Sequence, residues 1–302
     1  MADKPIPFQD FLQEEVARVK SVYYPVRAGF LQRVFKRQAR PQSLHPNPDD
    51  IFCDPKIGPN FGIINGYADD YRQPFLPKYS FKQDSLREPI MVHKARPDGY
   101  LILNGHHRWA AATQVGIPKV KIRIVNLTRE KDIHDMLSRS RTDRRVTLDL
   151  DEVVFCSPED SFAEPHFRFP VRCFYKERVR LGVPALFHYL IQNGYDIWVY
   201  TSKLYSMEYI RFYFRHWNVR LAGIVTGAGR KVAGSSAFGD ELKKKMETHY
   251  RSTMHIDGNA VTRTFSGRKE IEEYPLSGSA ETWSREVMDV IEKLPAAQDG
   301  VR

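Results

Sequence analysis

At 302 residues, 42% hydrophobic and 27% charged, the chain has a globular composition, which excludes a disordered or fibrous protein. It also exceeds the usual single-domain span of roughly 100–200 residues, so two domains are expected. The formal net charge of +9, with basic clusters at Arg27 to Arg40, Arg139 to Arg145 and Lys243 to Lys245, suits either a solvated basic surface or attraction to polyanions, nucleotides and phosphorylated substrates.

The N-terminus, Met1-Ala2-Asp3-Lys4-Pro5, lacks the charged-then-apolar pattern of a secretory signal. No apolar run approaches the ~18–20 residues needed to cross a bilayer, so no membrane association is expected. Cys53, Cys156 and Cys173 are odd in number and have no short paired spacing, which argues against a disulfide framework and a zinc site and points to a cytoplasmic protein.

Apolar positions between Phe8 and Val19, and again from Phe30 to Phe35, recur every three or four residues and predict two amphipathic helices interrupted near Pro25. Residues 1–50 are read as a helical N-terminal extension. From 40 to 80, the density of proline (Pro41, Pro46, Pro48, Pro55, Pro59, Pro74, Pro77) and glycine (Gly58, Gly62, Gly66) predicts loop with little room for long regular elements. Ile90-Met91-Val92, the turn Pro97-Asp98-Gly99 and the strand Tyr100 to Leu103 predict a hairpin. A helix from Trp109 to Val115 closed by Gly116 follows, then a half-exposed strand from Val120 to Val125. Glu130 to Arg145 reads as a connecting helix and linker, with one domain at 51–140 and the next at 141–302.

Beyond that boundary strands and helices alternate. The strands are Val146 to Leu150, Ile197 to Tyr200, Gly223 to Val225 and Thr253 to Ile256; the helices are Pro184 to Gln192, Ser206 to Trp217 and Asp240 to Tyr250. The order predicts an α/β fold with a parallel sheet covered on both faces. Ligands of such sheets sit beyond the carboxyl ends of the strands, where this chain places Asp149-Leu150-Asp151-Glu152-Val153, Thr201-Ser202 and Asp257-Gly258-Asn259. The set is chemically complete for transfer through an aspartyl phosphate: a carboxylate to attack phosphorus, a second to protonate the leaving oxygen, a hydroxyl and an ammonium for phosphate oxygens, and a downstream carboxylate to help seat magnesium. Strand alternation would point Asp149 and Asp151 the same way. Two carboxylates and a main-chain carbonyl would suffice for Mg2+.

From Val146 to about Leu294 the chain resembles the haloacid-dehalogenase (HAD) superfamily, whose first motif is an apolar strand followed by DxDx(T/V). The resemblance implies a Rossmann-like HAD phosphatase or phosphotransferase domain in which Asp149 is nucleophile and magnesium ligand and Asp151 is general acid and base. Thr201 would be the second-motif hydroxyl, Lys243 or a neighbour the third-motif lysine with Lys231 as rival, and Asp257 the fourth-motif carboxylate. The metal set is Asp149, Asp151 and Asp257. Gly258 and Asn259 stand where family members commonly carry a further acid, implying weaker metal affinity. The short stretch from Phe155 to Arg180 implies an open site that accepts bulky substrates.

Asn104-Gly105-His106-His107-Arg108 leaves a strand and opens a helix. Glycine permits close backbone approach, free N–H groups face an anion, and an arginine grips phosphate. From Pro89 to Val125 the chain resembles the ParB/sulfiredoxin superfamily, which implies an α+β nucleotide-binding domain with Gly105, His106, His107 and Arg108 at the phosphates and ATP, ADP or CTP as candidate nucleotides. His106 occupies the sulfiredoxin cysteine position, against that chemistry, and no evident helix-turn-helix follows, against chromosome partition. Asp69, Asp70 and Glu88 are candidates for the upstream acid that kinases of this fold use as base. The combined expectation is magnesium-dependent phosphomonoester hydrolysis coupled to nucleotide binding, on a phosphorylated small molecule or nucleic-acid end. Its alternatives are a kinase–phosphatase pair on nucleic-acid ends or a small hydroxylated metabolite, and a non-catalytic nucleic-acid-binding or regulatory protein.

Overall fold

A computed structural model of the chain describes residues 8–72, 88–157, 160–228, 240–268, 270–277 and 279–294. The chain divides into two compact units, residues 1–127 with 229–237, and residues 128–228 with 238–302.

The first unit contains α1 (Phe8–Val22), β1 (Tyr24–Pro25), α2 (Phe30–Phe35), β2 (Gln38–Ala39), β3 (Leu44–His45), α3 (Phe61–Arg72), β4 (Ile90–Arg96), β5 (Tyr100–Asn104), α4 (His106–Val115) and β6 (Val120–Ile124). Its sheet runs β2-β6-β4-β5-β3, with β1 also paired to β4. The β4–β5 hairpin is antiparallel and β4–β6 parallel. As expected, the chain breaks between α1 and α2 around Pro25, and Gly99 turns the hairpin at φ +71°. The helix expected from Trp109 begins earlier, at His106, and Gly116 closes it in the left-handed conformation.

Two expectations fail here. Residues 8–50, from the stretch read as an extension, are not separate, because Leu12, Ala28, Ala39 and Leu44 are buried in one core with Ile90, Ile102, Trp109 and Ile122. The stretch read as loop contains the helix α3, with Gly62 and Gly66 inside it. Each glycine costs about 1 kcal/mol relative to alanine in a helix. Burial of Ile64 and Ala68 in the same core offsets that cost, a tertiary gain no local signal reports. Pro74 and Pro77, from the same stretch, lie outside the described residues.

The second unit contains α5 (Glu130–Leu137), β7 (Arg144–Asp149), β8 (Phe155–Cys156), β9 (Arg178–Val179), α6 (Val183–Gln192), β10 (Asp196–Thr201), α7 (Met207–Arg215), β11 (Gly223–Thr226), α8 (Asp240–His249), β12 (Ser252–Ile256), β13 (Ala260–Phe265), β14 (Ile271–Pro275) and α9 (Trp283–Lys293). Its sheet runs β11-β10-β7-β12-β13-β14. β11, β10, β7 and β12 are parallel, as the alternation predicts. β13 and β14 add an antiparallel edge that the sequence reading did not anticipate. β7 is buried from Arg145 to Leu148, as befits a strand covered on both faces. Val146, Leu148, Ile197 and Val199 pack against residues of α6, α7 and α9, whereas Trp198 and Val225 pack against α5 and α8.

The unit boundary falls thirteen residues before the expected one, at 127/128 rather than 140/141. The helix read as a connector is structural: Ile133 and Leu137 are buried with Trp198, and the Thr128 hydroxyl donates to the Ile224 carbonyl. Close approach fixes one glycine. A Cβ on Gly223 would lie 1.9 Å from the Trp198 ring, which the register sets directly beside it. Gly223→Ala is therefore expected to destabilise the second unit by about 3 kcal/mol, the upper range of overpacking in a well-filled core, measured by urea unfolding.

Candidate phosphate sites

In the second unit, β7 ends at Asp149 and residues 150–154 form one wide π-type turn. Leu150, Val153 and Val154 anchor that turn in the core, and Asp149 Oδ1 caps it, accepting from the N–H groups of Asp151 (2.6 Å) and Glu152 (2.9 Å). Strand alternation is therefore not what places Asp151. The turn carries it instead to the end of β10, where its carboxylate accepts from the Thr201 hydroxyl at 2.9 Å and from the Ser202 N–H at 3.0 Å and hydroxyl at 3.1 Å. The Thr201 oxygen, fully buried, in turn accepts from the Lys203 N–H, so both halves of a buried hydroxyl are used. Lys203 Nζ lies 3.5 Å from Asp151 Oδ1.

A cavity of about 300 Å³ opens beside Asp151, walled by Phe155, Cys156, Ser157, Lys176, Glu177, Lys203 and Tyr205. Lys176 and Glu177 come from the arm between β8 and β9. The Glu177 carboxylate takes the Tyr209 hydroxyl, and burial with that carboxylate raises the Tyr209 phenol, keeping it a donor. Burial also raises the Cys156 thiol, with Asp160 adding to the effect, which disfavours a thiolate nucleophile in this cavity.

The structure brings Asp149, Asp151 and Thr201 together, but not the full expected set. Register places Asp257 level with Asp149, one residue beyond the Ile256–Leu148 pair. Its side chain, however, folds onto the Gly258 N–H at 2.6 Å, and its carbonyl accepts from Trp283 Nε1. Among the described residues no three His, Cys, Asp or Glu side chains gather to hold a metal ion, so Asp149, Asp151 and Asp257 do not form the expected three-carboxylate site. Both Asp151 oxygens already face donors. The donor chemistry remains suited to magnesium, which takes oxygen ligands and needs only one or two carboxylates when phosphate and water complete its shell. Lys243 lies on α8 with its side chain outside the described atoms, and Lys231 is outside the described residues. Lys203, two residues after Thr201, is the cation actually seen at Asp151 and was not singled out from sequence; nor were Lys176 and Glu177, for which the sequence offers no signal.

In the first unit Gly105 adopts φ +100° at the start of α4, where a Cβ would press on the Arg108 guanidinium and on Ile90, each at 3.2 Å. His106 is buried and its Nε2 accepts the Asn47 N–H at 3.1 Å, so the ring proton sits on Nδ1, 3.6 Å from Asp50 Oδ2. Phe52 stacks on the His106 ring at 5.3 Å and meets His107 edge-on at 5.0 Å. Burial lowers His106 to about 4, Asp50 only partly opposing it, so the ring is neutral at pH 7. His107 is half-buried and its Nε2 accepts the Asn60 N–H at 3.3 Å. Arg108 donates to the Glu88 carbonyl and lies 3.8 Å from the Glu88 carboxylate.

Residues 78–140 match the ParB N-terminal domain family. The match covers about a fifth of the chain and includes the Asn104–Arg108 turn. An uncharacterized protein of Methanocaldococcus jannaschii is 27% identical over 106 residues, 35% of this chain and 33% of that protein. A solved structure of C-terminally truncated chromosome-partitioning ParB from Caulobacter crescentus, complexed with CTP-γ-S, is 22% identical over 35% of this chain and 55% of its own, with a TM-score of 0.23. The chain thus spans a third to about half of the length of these relatives, and at that TM-score the second carries no argument.

Within the ParB-like turn the expected phosphate set is revised. The opening N–H groups of α4 after Gly105 have no partner within the helix and suit an anion. The His106 ring is a core group that ties the loop at Asn47 to the turn, not a ligand. Of the proposed acids, Asp69 pairs with Arg72, Asp70 is buried, and Glu88 lies beside Arg108. The acid nearest the histidines is Asp50, which sequence reading missed. Only its place after Pro48 in an Asp-Asp pair marked it as a turn residue.

Proposed function

We propose that the second unit hydrolyses phosphomonoesters through an aspartyl phosphate, a HAD-like activity. The observation that carries this reading is the Asp151 carboxylate, oriented by Thr201 and Ser202 at the mouth of a cavity, two residues beyond a central-strand aspartate whose Oδ1 caps the intervening turn. In the proposed reaction an Asp149 oxygen attacks phosphorus and the ester P–O bond breaks as Asp151, carrying a proton taken up from solvent, gives that proton to the leaving oxygen. Asp151 then takes a proton from water as that water attacks the aspartyl phosphate, releasing phosphate and restoring Asp149. Lys203 and Lys176 supply positive charge at the cavity wall. Magnesium, held by Asp149 with phosphate and water oxygens completing its shell, would neutralise charge on the phosphoryl oxygens. The test is phosphate release from a panel of sugar, amino-acid and nucleotide phosphomonoesters, with magnesium and with chelator; failure of every substrate at enzyme concentrations giving single turnovers would reject the reading.

For the first unit we propose nucleotide phosphate binding at the ParB-like turn, supported by the family match and by the left-handed Gly105. ATP, ADP and CTP are the ligands to titrate by calorimetry. Gly105→Ala puts a Cβ at the phosphate approach, 3.2 Å from the Arg108 guanidinium, and is expected to weaken binding by about tenfold or more, the worth of one lost charge-assisted phosphate contact. Equal affinity in a variant that melts like wild type would reject the assignment. No helix among the described residues is long and apolar enough to cross a membrane.

A further inference from the structure

From Val16 to Pro48 the chain has no acidic residue and seven basic ones: Arg18, Lys20, Arg27, Arg33, Lys36, Arg37 and Arg40. In the folded first unit this segment forms α2 and the edge strand β2, and the Ile122 N–H donates to the Arg37 carbonyl, which brings β6 alongside. β6 alternates buried and exposed, so Lys121 and Arg123 both face outward, Lys121 paired with Gln38 of β2. Lys94, on β4, reaches across to Gln32 of α2 at 3.0 Å. Of these cations Arg18, on α1, pairs with Glu15 on the side of β3, the opposite edge strand, whereas Lys36 joins Lys121 and Arg123 along the β2–β6 edge.

The same edge exposes large apolar side chains that the core leaves outside. Phe30 is 61%, Leu31 68% and Phe35 73% exposed on α2. A protein partner of ordinary composition would match the apolar groups but leave the cations unanswered. A duplex would match the cations but hide its bases from the phenyl rings. Single-stranded nucleic acid answers both, because its phosphates follow a basic track while its unstacked bases rest on aromatic faces. A six-residue helix is also short for an amphipathic element lying in a lipid interface.

We propose that the α2–β2–β6 edge is a binding track for single-stranded nucleic acid, with Lys36, Lys121 and Arg123 on phosphates and Phe30 and Phe35 as stacking platforms. The track is independent of the phosphatase reading, since all its residues belong to the first unit. The experiment titrates the full chain against a fluorescent oligothymidylate, the same length of duplex, and phosphatidylserine vesicles at several salt concentrations. Tightest binding to the single strand is expected. In Lys121→Glu/Arg123→Glu the slope of log affinity against log salt should fall in magnitude by about 1.4, since each single-strand phosphate no longer neutralised removes about 0.7. Phe30→Ala/Phe35→Ala should weaken binding about tenfold or more while leaving the slope unchanged, a split that a purely electrostatic surface would not show. These side chains are exposed, and unchanged thermal melting verifies folding. Absence of binding at low salt, equal or tighter binding to duplex or vesicles, or affinity indifferent to both double variants would each overturn the proposal.

Discussion

Asp149→Asn is expected to lower phosphate release by at least about 10³-fold, with the unfolding transition unchanged. The amide removes the proposed nucleophilic oxygen but keeps a carbonyl oxygen in place of Oδ1, which can still accept the Asp151 and Glu152 N–H groups that shape the turn. The loss is therefore chemical and not structural. Asp151→Asn separates the two roles further. It should cost about 10²–10⁴-fold on alkyl phosphates, the usual worth of a positioned acid and base. It should cost less in the first half-reaction of a nitrophenyl phosphate, whose leaving group needs no proton, so single-turnover release of nitrophenol is the discriminating measurement. Asp149→Asn retaining more than a tenth of wild-type turnover, or Asp151→Asn insensitive to leaving group, would remove the aspartyl-phosphate mechanism.

The second large effect lies in the first unit and concerns acid stability. His106 titrates near 4 when folded against 6.5 for the free side chain, because burial disfavours its charged form. Between those values the unfolded chain binds the proton and the folded one does not, so stability rises with pH across this window and is lost as pH falls from 6.5 toward 4. The full shift is worth up to about 3 kcal/mol. His106→Leu removes this dependence but leaves the buried Asn47 N–H without its acceptor, costing about 1–3 kcal/mol at neutral pH. Denaturant unfolding of wild type and variant at pH 7.5 and pH 5 should show the variant's deficit shrinking by about 2 kcal/mol on acidification. His107 and His255 are also lowered by burial, but they are present in both proteins and largely cancel in the difference. A deficit independent of pH would show that His106 is not buried neutral. Glu15 acts at lower pH: burial alone would raise it, but the His45 and Arg18 hydrogen bonds outweigh that and hold it below its ordinary 4.5, so its contribution is lost only on further acidification.

Periodicity and glycine placement made much of the fold legible. The alternation of Lys121 and Arg123 with buried Val120, Ile122 and Ile124 is a local pattern, and so are Gly116 at the end of α4 and the apolar run into Asp149. Such signals depend on residues a few positions apart, whose geometry the backbone alone sets. The acidic pair and Thr201 were identifiable for the same reason: each follows a strand in a fold whose ligands sit at strand ends.

Tertiary structure decided what those residues touch. Asp151 is turned by a π-type turn toward Thr201, Ser202 and Lys203, about fifty residues away in sequence, and Asp257, level with Asp149 in register, closes on its own loop. His106, read as a phosphate ligand, is instead claimed by Asn47 and Asp50 because burial makes its one acceptor more valuable inside than at the surface. The helix at 130–137 belongs to the second unit because Ile133 and Leu137 find their apolar partners there, and α3 forms despite two glycines for the same cause. Local sequence determines which backbone shapes are cheap. Which side chains meet depends on long-range burial, whose free energy exceeds those local preferences and is invisible until the chain is folded.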